Sequence, residues 1–429
     1  MKRKLIDRLI QWKTEDNGKP ILLTGAKGVG KTYLAYDFAK AFFERICYLN
    51  FENNYQVSEL IDLQDAASLK DRFFTYFQLD PMEEITQRIL ILDEISFNTE
   101  AIITLINQEL SELFRYIICI SSYPLPQDNN LSMKSLCVYP LEFDEFLRAT
   151  SNEWYIETIQ NHYLTSQKIP EIVHKELLVL HQLYLIIGGM PGVINEYLNL
   201  SATINVSEQH RFLLGSYRDH IQRDYADSDS LKMLQVYDCI IPQLQKDNKK
   251  FQYKLIRKGT THAMYKEAIT KLCEDSYVIK CNRITTDQLR EQSFKADEWS
   301  NSHSVANFKL YLPDTGLLNT RRNEEENQAN KNSIYDKVLL ENYLAASLQT
   351  KHYPFVFWES DSMAKVDFIY HKDNQIYPVE IFDSENTRSK SISVLKQCCE
   401  FPYAIRISSR NFEFSNQIKY VPYYAVFCL

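Results

Sequence analysis

Eight consecutive residues, Gly25-Ala26-Lys27-Gly28-Val29-Gly30-Lys31-Thr32, constrain this chain more than any other stretch. They fit G-x-x-x-x-G-K-[ST], a loop whose backbone N–H groups turn inward to face phosphate oxygens. The glycines permit the curl, and a helix beginning at its end adds the positive end of its dipole. The flanks suit the motif. Ile21-Leu22-Leu23-Thr24 reads as a buried strand, and Tyr33 to Glu44 as a helix. In such a cradle Lys31 reaches the β- and γ-phosphates of a nucleoside triphosphate, and Thr32 offers its hydroxyl to Mg2+. The expected cofactors are therefore ATP and Mg2+.

A second segment points to the same chemistry. Arg88-Ile89-Leu90-Ile91-Leu92-Asp93-Glu94 is an apolar run ending in two acids. A parallel strand buried on both faces reads this way, and ligands gather at the carboxyl ends of such strands. Asp93 is placed to hold Mg2+, directly or through water, and Glu94 to polarise an attacking water. An acid directly after the metal-binding aspartate points to hydrolysis rather than binding alone.

At 429 residues the chain has room for two to four domains. The net charge of −8 excludes a chain that is a nucleic-acid binder throughout, so any such contact is local. No segment approaches a spanning helix. The basic start, Met1-Lys2-Arg3-Lys4, leads into Leu5–Trp12, whose apolar pattern is broken by Asp7, Arg8 and Gln11. That is an amphipathic helix, not a signal peptide. The nine cysteines show no C-x-x-C pair or zinc spacing, which predicts buried thiols in a reducing cytoplasm.

Four parts are expected. Residues 1–148 alternate strands (Ile21–Thr24, Ile46–Phe51, Ile89–Asp93, Tyr116–Ser121, Leu136–Leu141) with helices such as Tyr33–Glu44 and Thr99–Leu113, which predicts an α/β core with a parallel sheet. A further strand is expected between the loop strand and the acid strand. Ser121-Ser122, at the end of the fourth strand, either sense the γ-phosphate and orient water or close an ordinary turn. Residues 149–228 form a helical lid, broken by Gly188-Gly189-Met190-Pro191-Gly192. Arg218 or Arg223 from this lid reaches the γ-phosphate, in cis or from a neighbouring subunit, or else makes a surface salt bridge. Residues 229–300 suit a winged helix, with helices at Leu231–Gln245 and His262–Asp275 and a strand at Tyr277–Cys281. Lys246, Lys249, Lys250, Lys254, Arg257 and Lys258 cluster there, as a phosphate-binding patch for DNA or as a solvated face. Residues 301–429 are a separate α/β module, with a polar loop at Arg321–Asn332.

Further motifs carry a resemblance. They are Tyr48-Leu49-Asn50-Phe51-Glu52, Pro140-Leu141-Glu142-Phe143-Asp144-Glu145-Phe146-Leu147, the turn at 188–192, Arg223-Asp224, Ile241-Pro242-Gln243-Leu244, Asp314-Thr315-Gly316-Leu317-Leu318 and Val421-Pro422-Tyr423-Tyr424. With the nucleotide motifs, they make the chain resemble bacterial and archaeal P-loop ATPases of the AAA type, fused to a C-terminal domain of PD-(D/E)XK nuclease-like fold. The resemblance implies a hydroxyl-bearing sensor at position 120, where Ile120 stands; Ser121 and Ser122 remain for that role. It also implies a helix Glu, a strand Asp and a Glu-x-Lys around Mg2+ in the last domain. Glu341, Asp367 and Glu380 match the acids, but Phe382 stands where the lysine belongs. Lys365 shares the strand face of Asp367 and is the one substitute. The implied module is an inactive nuclease fold kept as a binding or docking surface.

The expected function is a cytoplasmic ATPase acting as a motor or switch, with Lys31, Glu94, Ser122 and Arg223 at the reacting phosphate and Thr32 and Asp93 at Mg2+. The rival readings are an ATP-gated nuclease acting on DNA and a nucleotide-regulated scaffold for a protein partner. A higher oligomer is compatible with each.

Overall fold

A computed structural model describes residues 1–15, 18–52, 69–80, 82–97, 99–123, 133–200, 205–290, 307–325, 335–360 and 363–429. The chain divides into two compact units, Met1–Tyr139 and Pro140–Leu429.

The first unit is built on β1 (Ile21–Thr24), β2 (Arg45–Asn50), β3 (Arg88–Asp93), β4 (Tyr116–Ile120) and β5 (Lys134–Cys137). Their order is β2-β3-β4-β1-β5, and every pairing is parallel. β4 lies between β1 and β3, the added strand that the sequence predicts. Every residue of β3 is buried, as a central strand covered on both faces requires. On one face Leu90, Leu92, Ile117 and Cys119 pack against Ile102, Leu105 and Leu113. On the other side Trp12 of helix Ile6–Glu15 meets Phe38 of helix Lys31–Phe42, ring centroids 6.1 Å apart, and Tyr116 at 5.7 Å. The fifth strand falls earlier than the expected Leu136–Leu141. β5 is an edge strand with half-exposed residues, so its apolar signal is weak. Val138 makes the last ladder bond, to Thr24 at 2.8 Å, and Pro140 has no N–H to continue it.

The second unit carries a mixed sheet, β12-β13-β11-β10-β9-β8-β6-β7. Its strands are β6 (Ile279–Ile284), β7 (Phe308–Tyr311), β8 (Phe355–Glu359), β9 (Lys365–Lys372), β10 (Gln375–Ile381), β11 (Ala404–Ser408), β12 (Glu413–Ser415) and β13 (Ile418–Pro422). β6, read as the strand of a separate domain, pairs antiparallel with β7 and parallel with β8. Both of its hydrogen-bonding edges belong to the C-terminal sheet. The boundary at 300 lies outside the described residues, as does most of the polar stretch Arg321–Asn332, whose first residues continue helix Thr315–Glu325.

Three motifs that are far apart in sequence meet in this unit. The Asp314 carboxylate accepts hydrogen bonds from Gly189 N at 2.5 Å and from Leu317 N at 2.9 Å. The Leu141 N–H donates to the Gly189 carbonyl at 2.7 Å, and Tyr184 donates to the Leu141 carbonyl at 2.8 Å. His210 Nε2 donates to the Ile187 carbonyl at 2.9 Å, leaving Nδ1 to accept from Thr320 at 2.8 Å. Glu142 forms a capping box with Glu145 at the start of helix Phe143–Ala149 and accepts from Ser347 and Lys351. These motifs are thus explained as structural ties. Among the described residues, no single helix is long and apolar enough to cross a membrane.

Candidate nucleotide site

The glycine-rich loop joins β1 to helix Lys31–Phe42, and its start allows only glycine. Gly25 has φ +130°, and a Cβ there would lie 2.2 Å from the Val138 carbonyl oxygen. Arg3 braces the loop from outside, donating to the carbonyls of Val29 at 2.9 Å and Tyr139 at 2.6 Å. A basic N-terminal residue gives no sequence signal for such a role, because its two acceptors are backbone carbonyls.

Lys31 is buried. Its Nζ donates to the carbonyls of Gly25 at 2.8 Å and Ala26 at 3.2 Å, and to Ser122 Oγ at 3.1 Å. Burial lowers its ammonium below the ordinary lysine range, against the opposing pull of Glu94 and Asp93. Thr32 Oγ1 donates to Asp93 Oδ2 at 2.8 Å. Glu94, directly after β3, has φ 53°, a left-handed conformation that is costly for a residue with a Cβ. Its carboxylate is held by Ser122, whose Oγ donates at 2.6 Å and whose N–H donates at 3.2 Å. Ser121 points elsewhere and donates to the Tyr123 carbonyl at 2.6 Å. Lys31, Thr32, Asp93, Glu94 and Ser122 therefore gather at the carboxyl ends of β1, β3 and β4. Of the two serines, Ser122 is the one in the cluster.

The donor set fits Mg2+. This ion takes oxygen ligands, is held by one or two protein groups, and draws the rest from phosphates and water. The Thr32 hydroxyl and the Asp93 carboxylate converge as such a pair.

Arg223 and Arg218 lie in helix Val206–Asp224 of the second unit. Arg223 pairs with Asp224 at 2.7 Å and Arg218 with Asp238 at 2.5 Å, the surface salt bridges that were the alternative reading.

The second unit holds its own cleft, about 540 Å³ in volume, where Lys246, Lys249, Lys309, Lys337 and Lys365 face Glu341 and Asp367. Glu341 is fully enclosed, 1% exposed, and accepts from Lys249 at 2.7 Å, Tyr311 at 3.1 Å and Lys309 at 3.4 Å. Burial would raise its carboxyl, but Lys309, Lys249 and Lys337 hold it down at about 2. Asp367 pairs with Lys337 at 2.9 Å and accepts from Ile381 N at 2.8 Å. Glu380 does not line this cleft. It is opposite Arg406 in the β10–β11 register and pairs with it at 3.0 Å. Burial raises its carboxyl, against Ser389 and Arg406. Among the described residues, no group of three or more His, Cys, Asp or Glu is arranged to hold a metal ion. The basic patch divides. Lys249 and Lys250 are paired with Glu341 and Glu359, while Lys246, Lys254, Arg257 and Lys258 remain exposed.

Residues 17–147 match the AAA domain family AAA_14. Residues 180–328 and 337–426 match two domains of unknown function, DUF8612 and DUF4143. With the geometry above, the first of these matches assigns to residues 17–147 a domain of the AAA type that carries a phosphate loop. Solved structures are similar at low identity. The Walker-type ATPase PABY2304 of Pyrococcus abyssi is 12% identical, with a TM-score of 0.43, over 75% of this chain and 95% of that one. PCH-2 of C. elegans is 17% identical, with a TM-score of 0.32, over 46% of this chain and 62% of that one. No curated protein sequence matches the chain.

Proposed function

We propose that this protein binds ATP with Mg2+ and hydrolyses it, working as a nucleotide-driven motor or switch. The observation that carries the reading is the convergence of Lys31, Thr32, Asp93, Glu94 and Ser122 at one end of the parallel sheet. The loop amides and Lys31 bind the β- and γ-phosphates, for which the Lys31 ammonium leaves the Gly25 and Ala26 carbonyls. Thr32 and Asp93 are the residues that would hold Mg2+, which would supply neutralisation of the phosphate charge. Glu94 orients water for in-line attack once its carboxylate turns from Ser122, and the freed Ser122 hydroxyl faces the γ-phosphate. An arginine such as Arg223, from this chain or a neighbouring copy, completes charge stabilisation.

Steady-state turnover with Mg2+ tests this. Glu94→Gln is expected to keep ATP binding and lose turnover, and Lys31→Ala to lose binding or turnover. Wild-type turnover in the Glu94→Gln variant would overturn the assignment.

For the second unit, the reading is an inactive PD-(D/E)XK-like module serving as a binding or docking surface. Its support is that Glu341, Asp367 and Glu380 are each neutralised by a lysine or arginine. A nuclease would need Glu341 and Asp367 for metal. Mg2+-dependent nicking of plasmid DNA, lost in Asp367→Ala, would restore the nuclease reading. The exposed Lys246, Lys254, Arg257 and Lys258 are the groups by which DNA would be held. Turnover that rises with double-stranded DNA would support that contact, and turnover indifferent to DNA would favour a protein partner.

A further inference from the structure

Tyr48-Leu49-Asn50-Phe51-Glu52 has no role in the scheme above, yet it ends the strand beside the acid strand. Successive strand residues face opposite sides. Leu49 is buried, and Phe51 packs on the same core cluster. Tyr48, Asn50 and Glu52 fall on the alternate positions, and they form a hydrogen-bonded series. The Tyr48 hydroxyl donates to Asp93 Oδ2 at 2.8 Å. Asn50 Nδ2 donates to the Tyr48 oxygen at 3.1 Å, and Asn50 Oδ1 accepts from Glu52 N at 2.8 Å. Glu52 pairs with Lys27 of the phosphate loop at 2.9 Å. Asn50 stands opposite Asp93 in the β2–β3 register.

The series leaves little freedom to Asp93. Its Oδ2 receives two hydroxyls, Thr32 and Tyr48. Asn50 donates to the Tyr48 oxygen, so the Tyr48 proton is directed to Asp93. The Tyr36 ring lies 5.1 Å from the Tyr48 ring and limits its swing. Mg2+ demands near-ideal octahedral geometry, so the orientation of the one protein carboxylate matters. Outer partners that orient a metal-binding group typically account for about 10–100-fold in metal affinity.

We infer that Tyr48, braced by Asn50, is a positioning residue that sets the Asp93 carboxylate for Mg2+, and that Asn50, Glu52 and Lys27 tie this carboxylate to the phosphate loop. The inference rests on the ATP reading above and goes beyond it.

The test uses the full chain with Tyr48→Phe, which removes one oxygen and keeps the ring. A fluorescent ATP analogue is titrated in EDTA and again in excess Mg2+. The expected result is an unchanged Kd in EDTA and a Kd weakened about 10-fold in Mg2+. Asn50→Ala should shift the Mg2+ value in the same direction and less far. Equal weakening in both conditions, or none in either, would overturn the inference while leaving ATP binding intact. If the wild-type chain binds no nucleotide in either condition, the ATP reading itself fails, and the inference with it.

Discussion

His181 is fully buried, and five aromatic rings surround it. Tyr343, Phe143 and Tyr184 have centroids at 4.8, 5.2 and 6.2 Å, with Tyr335 and Tyr423 stacked at 5.9 and 6.1 Å. Neither ring nitrogen has a hydrogen-bond partner among the described residues. Burial lowers its pKa from 6.5 to about 3. Between these values the unfolded chain binds a proton that the native chain refuses. Stability is therefore complete above about pH 6.5 and falls as pH drops through the window. At about pH 5 the unfolded histidine is favoured by roughly 1.5 pH units at ~1.4 kcal/mol each, a loss of about 2 kcal/mol. His181→Phe abolishes this term. Urea denaturation of both proteins at about pH 8 and about pH 5 should show the variant gaining about 2 kcal/mol relative to wild type at the lower pH. The larger ring also changes packing, by an amount common to both pH values that cancels in the comparison. A stability difference that does not move with pH would refute the reasoning, because it would mean that the native imidazole takes up a proton as readily as the unfolded one.

Other perturbations have equally direct readouts. Gly25→Ala sets a methyl against the Val138 carbonyl in a backbone conformation that alanine resists, so nucleotide binding should be lost in an equilibrium titration. Gly189→Ala brings a Cβ to 2.2 Å from the Leu141 carbonyl oxygen, and a thermal melt should show the second unit destabilised by about 3 kcal/mol. Lys249→Met removes one partner from the buried Glu341 carboxylate and should cost about 3 kcal/mol in denaturant. Because Glu341 is held below its ordinary 4.5, at about 2, its contribution is present above about pH 4.5 and is lost as pH falls toward 2. Glu341→Gln should flatten that acid-side slope.

Legibility differed between the two units for physical reasons. The phosphate loop works through local backbone geometry, so glycines at fixed spacing announce it. β3 was legible because a strand covered on both faces must be apolar throughout. β5 was misplaced because an edge strand shows half its residues to solvent and loses that signal. β6 was recognised as a strand, but its pairing with β7 and β8 was not legible, since periodicity carries no information about pairing partners. Among the nuclease-like acids, sequence matching supplied Glu341, Asp367 and Glu380. It could not supply Lys249 and Lys309, which lie 92 and 32 positions away from Glu341.

The sequence by itself determined the nucleotide loop, the acid pair that follows β3 and the alternating α/β order of the first unit, all local properties of spacing and burial. Only the tertiary structure decided which side chains meet. It chose Ser122 over Ser121 as the partner of Glu94, brought Tyr48 to the Asp93 carboxylate, tied Asp314 to the turn at Gly189, and covered Glu341 with lysines. The reason is that a charge or hydroxyl acts over a few ångströms of space, and strand order and register set those distances, not positions along the chain.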